Sequence, residues 1–186
     1  ADVEAYAGAG NKQSGGAGDC WTADWVAERL AKLGFVVERQ VFEVPWFEAT
    51  RAELLVGDIA TPLVAQPLVT ATPTAGLGGE LRLVDEVGRL DGAIALLRLP
   101  HRRWSSLTDR AVRVPVDEAV ARGAAAVLVV TTGPTGEALL LNAPADRPAF
   151  LRPVVLLAPS AAAPLVEAAR AHAPASSARR TIEGRH

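Results

Sequence analysis

The sequence predicts a mixed α+β protein, in which a β-rich part with a few flanking helices follows an amino-terminal helix and strand. Apolar residues make up 49% of the chain, enough for a core, although only 5% of residues are aromatic. Apolar side chains recur every three or four positions across residues 20–33, which is the period of an amphipathic helix. Short apolar runs are typical of buried strands; they are continuous at residues 124–130 and 154–157 and interrupted only by Arg98 at residues 93–99.

Charge and cysteine content exclude several classes of partner and site. The 19 Lys and Arg residues nearly balance the 21 Asp and Glu residues, so no basic surplus is present to bind nucleic acid. No run of 18 apolar residues occurs, and we therefore expect no membrane insertion. Cys20 is the only cysteine, which rules out both a disulfide framework and a zinc site built from cysteines.

The first helix has a start, an apolar face and an end in the sequence. Asp19 is the predicted N-cap of a helix over residues 20–33, and Gly34 is its predicted left-handed C-cap. Its apolar face consists of Ala23, Val26, Ala27, Leu30 and Leu33.

The segments on either side of this helix are less regular. Residues 2–9 have a weak helical pattern, and a polar, glycine-rich stretch follows at residues 10–18. After the helix, residues 35–44 predict a long strand, which Pro45 ends because proline cannot donate to a strand ladder.

The remaining chain predicts strands with two helices among them. The strands are expected at residues 53–56, 62–65, 81–84, 93–99, 124–130, 138–141, 154–157 and 180–183. The helices are expected at residues 114–121, with Pro115 in the first turn, and at residues 160–172. Residues 69–79, rich in Thr, Pro, Ala and Gly, predict a linker that divides the chain into 1–68 and 69–186.

Residues with catalytic chemistry are present, but their spacing favours structural roles. His101, His172 and His186 form no H-x-x-x-H or H-x-D pattern, so no zinc site is predicted from them. His101, Ser105, Ser106 and Asp109 lie close together in sequence, whereas members of a catalytic triad usually converge from distant segments. A solvated loop explains this cluster better.

A glycine-rich run before a helix suggests a phosphate-binding loop. Residues 14–19 read Ser-Gly-Gly-Ala-Gly-Asp, but the Lys-Ser/Thr pair of a P-loop is missing. Asp19 would also repel a phosphate group at the helix amino terminus. A flexible lead-in to the helix is the favoured interpretation.

One short segment resembles an interaction surface. Arg102, Arg103 and Trp104 follow a predicted strand, and Arg and Trp are enriched at binding hot spots. They are the candidate binding residues, although a loop with solvated arginines and a packed Trp is the commoner arrangement. Trp21 and Trp25 are expected to be packing residues of their helix.

Two blocks of sequence together resemble a known family. The first reads Ser-Gly-Gly-Ala-Gly-Asp at residues 14–19, Ala-Glu-Arg-Leu-Ala-Lys-Leu-Gly at 27–34 and Phe-Val-Val-Glu at 35–38. It is similar to the opening of co-catalytic zinc aminopeptidases of the bacterial leucyl aminopeptidase and glutamate carboxypeptidase type. The second reads Gly-Ala-Ile-Ala-Leu-Leu-Arg at 92–98, Ala-Val-Ala-Arg-Gly-Ala-Ala-Ala-Val-Leu-Val-Val at 119–130 and Pro-Val-Val-Leu-Leu at 153–157. It resembles the protease-associated (PA) domain that such peptidases carry, an open barrel or sandwich.

The departures from this family affect catalysis. In the family, zinc ligands lie beyond the PA domain and begin with a His-x-Asp motif, and the sequence through residue 186 contains none. The Arg-Gly-x-Cys turn of many PA domains is replaced by Leu-Pro-His-Arg-Arg at residues 99–103. No catalytic or metal residue can therefore be assigned, and zinc is expected only in a missing carboxy-terminal catalytic part. The resemblance also implies a secreted or periplasmic protein.

Three hypotheses follow, in order of preference. The chain is a non-catalytic auxiliary region of a zinc exopeptidase, whose partner is the missing catalytic domain of the same polypeptide. Alternatively, it is a stand-alone module that binds a protein or peptide through residues 102–104 or 131–135. The third is a hydrolase with an unrecognised site. The first hypothesis predicts exposed apolar surface on the helix at residues 20–33, because its partner sheet would be absent.

The end of the chain allows two interpretations. Residues 182–185 read Ile-Glu-Gly-Arg, which matches a common engineered protease-cleavage sequence. Thr181 and Ile182 also continue a strand pattern, and natural strand residues are the preferred interpretation.

Overall fold

The computed structural model describes residues 2–65, 68–86, 88–100, 106–132, 135–144, 146–171 and 179–185. The chain forms two compact units, Ala1–Trp46 and Phe47–His186. The sequence places a division after residue 68, whereas the strands before that point pair with strands of the second unit. Such long-range pairing cannot be read from the local composition of a linker. Within the described residues, no helix has both the length and the apolar character needed to cross a bilayer.

The first unit contains two helices, α1 (Asp2–Gly8) and α2 (Ala17–Lys32). Helix α2 begins earlier than predicted, with Gly16 rather than Asp19 at the N-cap. Asp19 lies in the first turn, where its Oδ2 accepts a hydrogen bond of 2.9 Å from the Gly15 amide. The predicted end is confirmed, since Gly34 has φ of 88°. Its amide donates to the carbonyl of Ala31 at 3.0 Å, which closes the last turn.

Within the glycine-rich stretch, Gly16 and Gly18 are buried, so this part of the stretch is packed rather than a flexible lead-in. Gly18 is buried within α2, and a Cβ at this position would clash with the carbonyl oxygens of Ala9 and Asn11. Glycine is therefore required at residue 18 by the close approach of two backbone segments.

The long strand predicted at residues 35–44 is wrong for this chain. Residues 35–47 form neither helix nor strand. The alternation of apolar and charged residues is that of a strand, but a strand exists only when a neighbouring backbone supplies its hydrogen bonds. Neither α1 nor α2 offers such a neighbour.

The described residues of the second unit form two sheets, and the smaller sheet is antiparallel. Strand β1 (Glu48–Val56) lies between β2 (Ile59–Pro62) and β8 (Arg179–Arg185). Leu54 is opposite Thr61 on one side and Arg180 on the other. The final strand predicted from the sequence is thereby confirmed, and the Ile-Glu-Gly-Arg run belongs to it.

The larger sheet has five strands in the order β3-β7-β6-β5-β4. These are β3 (Val64–Ala65), β4 (Leu81–Leu83), β5 (Ile94–Arg98), β6 (Ala126–Val130) and β7 (Val154–Leu157). Neighbours from β4 to β7 are parallel, and β3 is antiparallel to β7. Every residue of β6 and β7 is buried, which explains their continuous apolar sequences.

The described part of the second unit contains two α-helices, α3 (Arg110–Ala121) and α4 (Ala162–Arg170), and a 3₁₀ turn at Pro159–Ala161 precedes α4. Helix α3 makes the crossover from β5 to the parallel strand β6. It starts before the predicted residue 114, so Pro115 lies inside the helix rather than in its first turn. Arg170 of α4 donates a hydrogen bond of 3.1 Å to Glu86, and this bond raises the pKa of the Arg170 guanidinium.

The strand predicted at residues 138–141 is wrong. This segment has no strand pairing; instead, the amide of Leu139 donates to Oγ1 of Thr131 at 2.8 Å. A buried threonine side chain has taken the place of a strand partner, and the loop side chains Leu139 and Leu141 fill the core beside it.

The core of the second unit lies on both faces of the five-stranded sheet. On one face, Ile94 and Leu96 pack with Leu54 of the three-stranded sheet and with Leu165 of α4. On the other face, Ala95 and Leu97 pack with residues of α3. The mixed α+β prediction is confirmed, with strands and helices combined around two apolar layers.

Candidate functional site

The first unit carries an apolar groove of about 570 Å³. One wall is a face of α2 formed by Ala23, Val26, Ala27 and Leu30, and the other is formed by residues 37–42 and Val44. We call this feature the α2 groove. The helix face is the one that the apolar periodicity predicts.

The apolar side chains around the α2 groove are largely exposed. Val26 and Leu30 keep 40% and 37% of their surface accessible, and Val41 and Phe42 keep 91% and 73%. Side chains of this kind are normally buried in a folded domain. The sequence-based expectation of an exposed apolar face on this helix is therefore confirmed.

Residues 35–44 are held beside α2 at three points. Gly34 turns the chain at the end of the helix. Nη1 of Arg39 lies 2.5 Å from Oδ1 of Asp24. Val44 lies against Gly15: a Cβ added to Gly15 would be 3.0 Å from Cγ2 of Val44. The segment therefore has a defined course although its backbone forms no ladder.

The α2 groove also has polar groups on both of its walls, with Glu38, Arg39 and Gln40 on the wall formed by residues 37–42. Asp19, Cys20 and Asp24 line it on the helix side, and the Cys20 thiol is exposed. The Asp24–Arg39 pair was not anticipated, because its partners are far apart in sequence and on elements of different type. The signal available in the sequence was Arg39, which interrupts the apolar face that a strand with Val37 and Val41 on one side would present.

The opposite face of α2 carries stacked aromatic rings. The ring centroids of Trp21 and Trp25 are 5.8 Å apart, and the Arg29 guanidinium lies 4.5 Å from the Trp25 centroid. Arg29 also donates to Asp2 of α1 at 2.8 Å. The two tryptophans therefore pack along their own helix, and Arg29 links this face to α1.

In the second unit, two loops meet at the carboxyl edge of the five-stranded sheet. Oγ1 of Thr132, after β6, donates to the carbonyl of Pro100, after β5, at 3.1 Å. Ser106 forms a bridge with Asn142. These contacts hold the two ends of the segment that contains Arg102, Arg103 and Trp104. Those three candidate binding residues lie outside the described residues.

No protein-family model matches the sequence, and no curated protein matches it. Solved structures do match. The zinc aminopeptidase BSAP from Bacillus subtilis superimposes with a TM-score of 0.67 at 18% identity, over 96% of this chain and 41% of that chain. A Peptidase M28 precursor from Shewanella amazonensis SB2B gives 0.58 at 20% identity, over 92% and 43%. An aminopeptidase from Aneurinibacillus sp. strain AM-1 gives 0.51 at 16% identity, over 91% and 39%.

The fold is shared with part of a zinc aminopeptidase. The chain spans about two fifths of the length of these solved structures, and almost all of it is included in the match. Both units are therefore covered by the similarity. At this level of identity the similarity concerns the fold.

The serine, histidine and aspartate cluster has structural roles where it is described. Oδ1 of Asp109 accepts a hydrogen bond of 2.9 Å from the amide of Ala111, and Asp109 is the N-cap of α3. The hydroxyl of Ser106 lies 2.8 Å from that of Thr108 and accepts from the Thr108 amide at 3.1 Å. His101 and Ser105 lie outside the described residues. The two described members of the cluster, Ser106 and Asp109, therefore support the interpretation of the cluster as a loop.

No metal centre is found in the part of the chain that the structure describes. That part contains no group of three or more His, Cys, Asp or Glu side chains able to hold a metal ion. His101, His172 and His186 lie outside it. The described residues therefore do not fit a catalytic zinc ion, which takes three protein ligands.

Proposed function

We propose that this chain is a non-catalytic auxiliary region of a zinc-dependent exopeptidase. The second unit would be its PA-type domain, and the first unit would be the helix and strand that begin the catalytic domain. In this proposal the chain contributes no catalytic group. It restricts which peptides reach an active site that is formed by another part of the same polypeptide.

The α2 groove is the observation that carries this proposal. An amphipathic helix is stabilised mainly by burial of its apolar face, yet this face of α2 is exposed. Residues 35–44 have the sequence of a strand but pair with no strand in the described part of the chain. A sheet that paired with residues 35–44 and covered α2 would bury the apolar helix face and also supply hydrogen-bond partners to the backbone of residues 35–44. In the shared fold, the part of the solved aminopeptidases outside the match would supply that sheet.

Zinc belongs, in this proposal, to the catalytic part. Bound there, it would activate a water molecule for attack on the peptide carbonyl. The residues described here would act before that step, by restricting which peptides reach the active site. The loops after β5 and β6, joined by the Pro100–Thr132 hydrogen bond, lie at the edge of a parallel sheet where ligands commonly bind. They are the part of the second unit best suited to contact an incoming peptide.

The coding sequence beyond codon 186 gives the first test. A continuing frame with a His-x-Asp motif and later Glu and Asp or His ligands is expected, and the longer chain should hydrolyse aminoacyl substrates in a zinc-dependent manner. A stop codon at that point, or a longer chain without chelator-sensitive activity, would contradict the proposal.

Cys20 provides a second test, since it is the only thiol and lines the α2 groove. Maleimide should label Cys20 readily in the 186-residue chain and much more slowly in the longer chain, where the sheet covers the groove. A cysteine introduced at Leu151, which is 95% exposed in the second unit, is the matched control and should react equally in both. Equal labelling of Cys20 in both chains would count against docking at this surface.

The alternative is a stand-alone module that binds a protein or peptide through Arg102, Arg103 and Trp104. The anchoring of this loop at Pro100 and Ser106 favours it. A purified partner should then bind the wild-type chain and the Leu30→Asp variant equally, and lose affinity for Trp104→Ala. Loss of binding in Leu30→Asp alone would assign the interaction to the α2 groove instead.

A further inference from the structure

Residues 36–43 are both exposed and unpaired. Each of these residues is exposed to solvent, and within the described part of the chain none of their amides or carbonyls takes part in a backbone hydrogen bond. None of them has a positive φ, so the segment is compatible with an extended conformation. Exposed segments without backbone partners are preferred sites of proteolytic nicking, because they can enter a protease cleft without unfolding.

Arg39 lies at the centre of this segment, and its side chain sets the class of protease that would recognise it. We propose that the Arg39–Gln40 bond is a site of limited proteolysis for an endopeptidase of the trypsin class, which has an acidic pocket for arginine. The inference does not depend on the proposed function. Hydrolysis adds one water molecule across this bond, leaves a carboxylate on Arg39 and an ammonium group on Gln40, and ends the covalent connection between α2 and the second unit. A strand paired with the segment would protect the bond, so cleavage identifies chains in which the segment has no partner.

Regular structure protects most of the other basic residues. Within the described chain, helices α2, α3 and α4 and strands β1, β4, β5 and β8 contain most of the remaining lysines and arginines. A helical or paired backbone must open locally before a protease can bind it in an extended form. Arg122, directly after α3, is protected in the same way, since the amide of Gly123 donates to the carbonyl of Val120 at 3.0 Å.

Two loop arginines are protected by the residue that follows them. Arg147 precedes Pro148, and Arg152 precedes Pro153. Proline has no amide hydrogen and a fixed φ, and a bond to proline is therefore a poor substrate for a protease of the trypsin class. The sequence alone excludes these two bonds.

Arg89 lies in a loop whose backbone is anchored. The amide of the next residue, Leu90, donates to the carbonyl of Arg122 at 2.9 Å, and the Leu90 side chain is buried. Binding of the Arg89–Leu90 bond in a protease cleft would break this hydrogen bond and expose an apolar side chain of the core.

Lys12 is the remaining basic residue in a described loop. The amide of the next residue, Gln13, donates to Oδ1 of Asn11 at 3.0 Å. Of the basic residues in the described chain, Arg39 is therefore the one that is followed by an unpaired amide and by a residue other than proline.

The ion pair with Asp24 moderates the rate of the proposed cut. Nη1 of Arg39 lies 2.5 Å from Oδ1 of Asp24, and the guanidinium must leave this carboxylate to enter the pocket of the protease. Because exposed ion pairs are weak, removing the pair should accelerate cleavage only about two- to fivefold.

Trypsin at a low ratio to the 186-residue chain tests the site, with the masses of the products followed over time. The first products should be residues 1–39 and 40–186. Gln40→Pro should slow this cut by about tenfold or more, because the bond then precedes a proline, while Arg39 and its ion pair stay in place. Arg39→Lys should still be cut, since the acidic pocket also accepts lysine. Arg89→Gln is the matched control and should leave the rate unchanged.

Two outcomes would overturn the proposal. One is a first cut at any other lysine or arginine, including Arg102 and Arg103, which lie outside the described residues. The other is a cut after residue 39 that Gln40→Pro does not slow.

The role of the ion pair has its own measurement in the same assay. Asp24→Asn should accelerate the cut about two- to fivefold. Asp117→Asn, which removes the carboxylate from an exposed pair with Arg113 in the second unit, should leave the rate unchanged. Equal rates for Asp24→Asn and the wild-type chain would overturn the role assigned to Asp24.

Discussion

Nη1 of Arg39 lies 2.5 Å from Oδ1 of Asp24, and this ion pair joins residues 35–44 to the face of α2 that they accompany. Both side chains are more than half exposed. The pair therefore contributes more to the position of residues 35–44 beside α2 than to the stability of the fold. It keeps an unpaired, strand-like segment against an apolar helix face. The segment and the helix therefore present one continuous surface to a partner.

Replacing Asp24 with Ala should release residues 35–44 from α2. The loss in free energy of unfolding should stay below about 1 kcal/mol, because exposed ion pairs contribute little. The rate of Cys20 modification by a thiol reagent should rise, since Cys20 lines the same groove. Asp117→Ala, which removes an exposed pair with Arg113 in the second unit, is the control. An unchanged Cys20 rate would show that the pair does not hold the segment.

Leu30 and Leu165 offer a matched test of the exposed helix face. Leu30 in α2 is 37% exposed, whereas Leu165 in α4 is fully buried. Leu165→Ala should lower the free energy of unfolding by about 2–5 kcal/mol, as for a buried leucine, and Leu30→Ala by less than about 1 kcal/mol. Urea unfolding followed for each unit separately would measure both.

Comparable losses for the two variants would mean that the Leu30 face is already buried in solution. In a longer chain with a docked catalytic part, Leu30→Ala should become as costly as Leu165→Ala. The pair of variants therefore reports on the partner as well as on the fold.

Local sequence patterns predicted the elements that depend on local chemistry. The periodic apolar face and Gly34 predicted α2, and the continuous apolar runs predicted β5, β6 and β7, which are buried on both faces. Patterns of this kind report burial and capping, which each element carries in its own residues.

Features that depend on distant partners were not predictable in the same way. Residues 35–44 have a strand pattern without a strand, and residues 138–141 are held by the Thr131 side chain. Strand β1 pairs with β8 from the far end of the chain. For the candidate site, periodicity predicted the exposed helix face of the α2 groove, but the course of residues 35–44 and the Asp24–Arg39 pair required the structure.

Asp109 should behave as a helix cap rather than as a catalytic group. Its Oδ1 accepts from the Ala111 amide at 2.9 Å, so Asp109→Ala should lower the free energy of unfolding by about 0.5–2 kcal/mol. Asp109→Asn should retain most of that stability, because an asparagine side chain also caps helices. Thermal unfolding of the three chains would measure the difference. Equal destabilisation by Ala and Asn would indicate that the negative charge, not the cap, is required.

Gly123 should be irreplaceable at the turn between α3 and β6. It has φ of 97°, and a Cβ there would lie 2.5 Å from Oδ1 of Asp91. Gly123→Ala combines a left-handed backbone with a steric clash, and should lower the free energy of unfolding by more than about 1 kcal/mol. Gly78→Ala is the matched control, because a Cβ at residue 78 meets nothing within 4 Å. This control should be neutral or slightly stabilising through a less flexible unfolded chain. If Gly123→Ala unfolds at the same denaturant concentration as Gly78→Ala, the loop that carries Asp91 can move away, and its packing against the end of α3 does not stabilise the second unit.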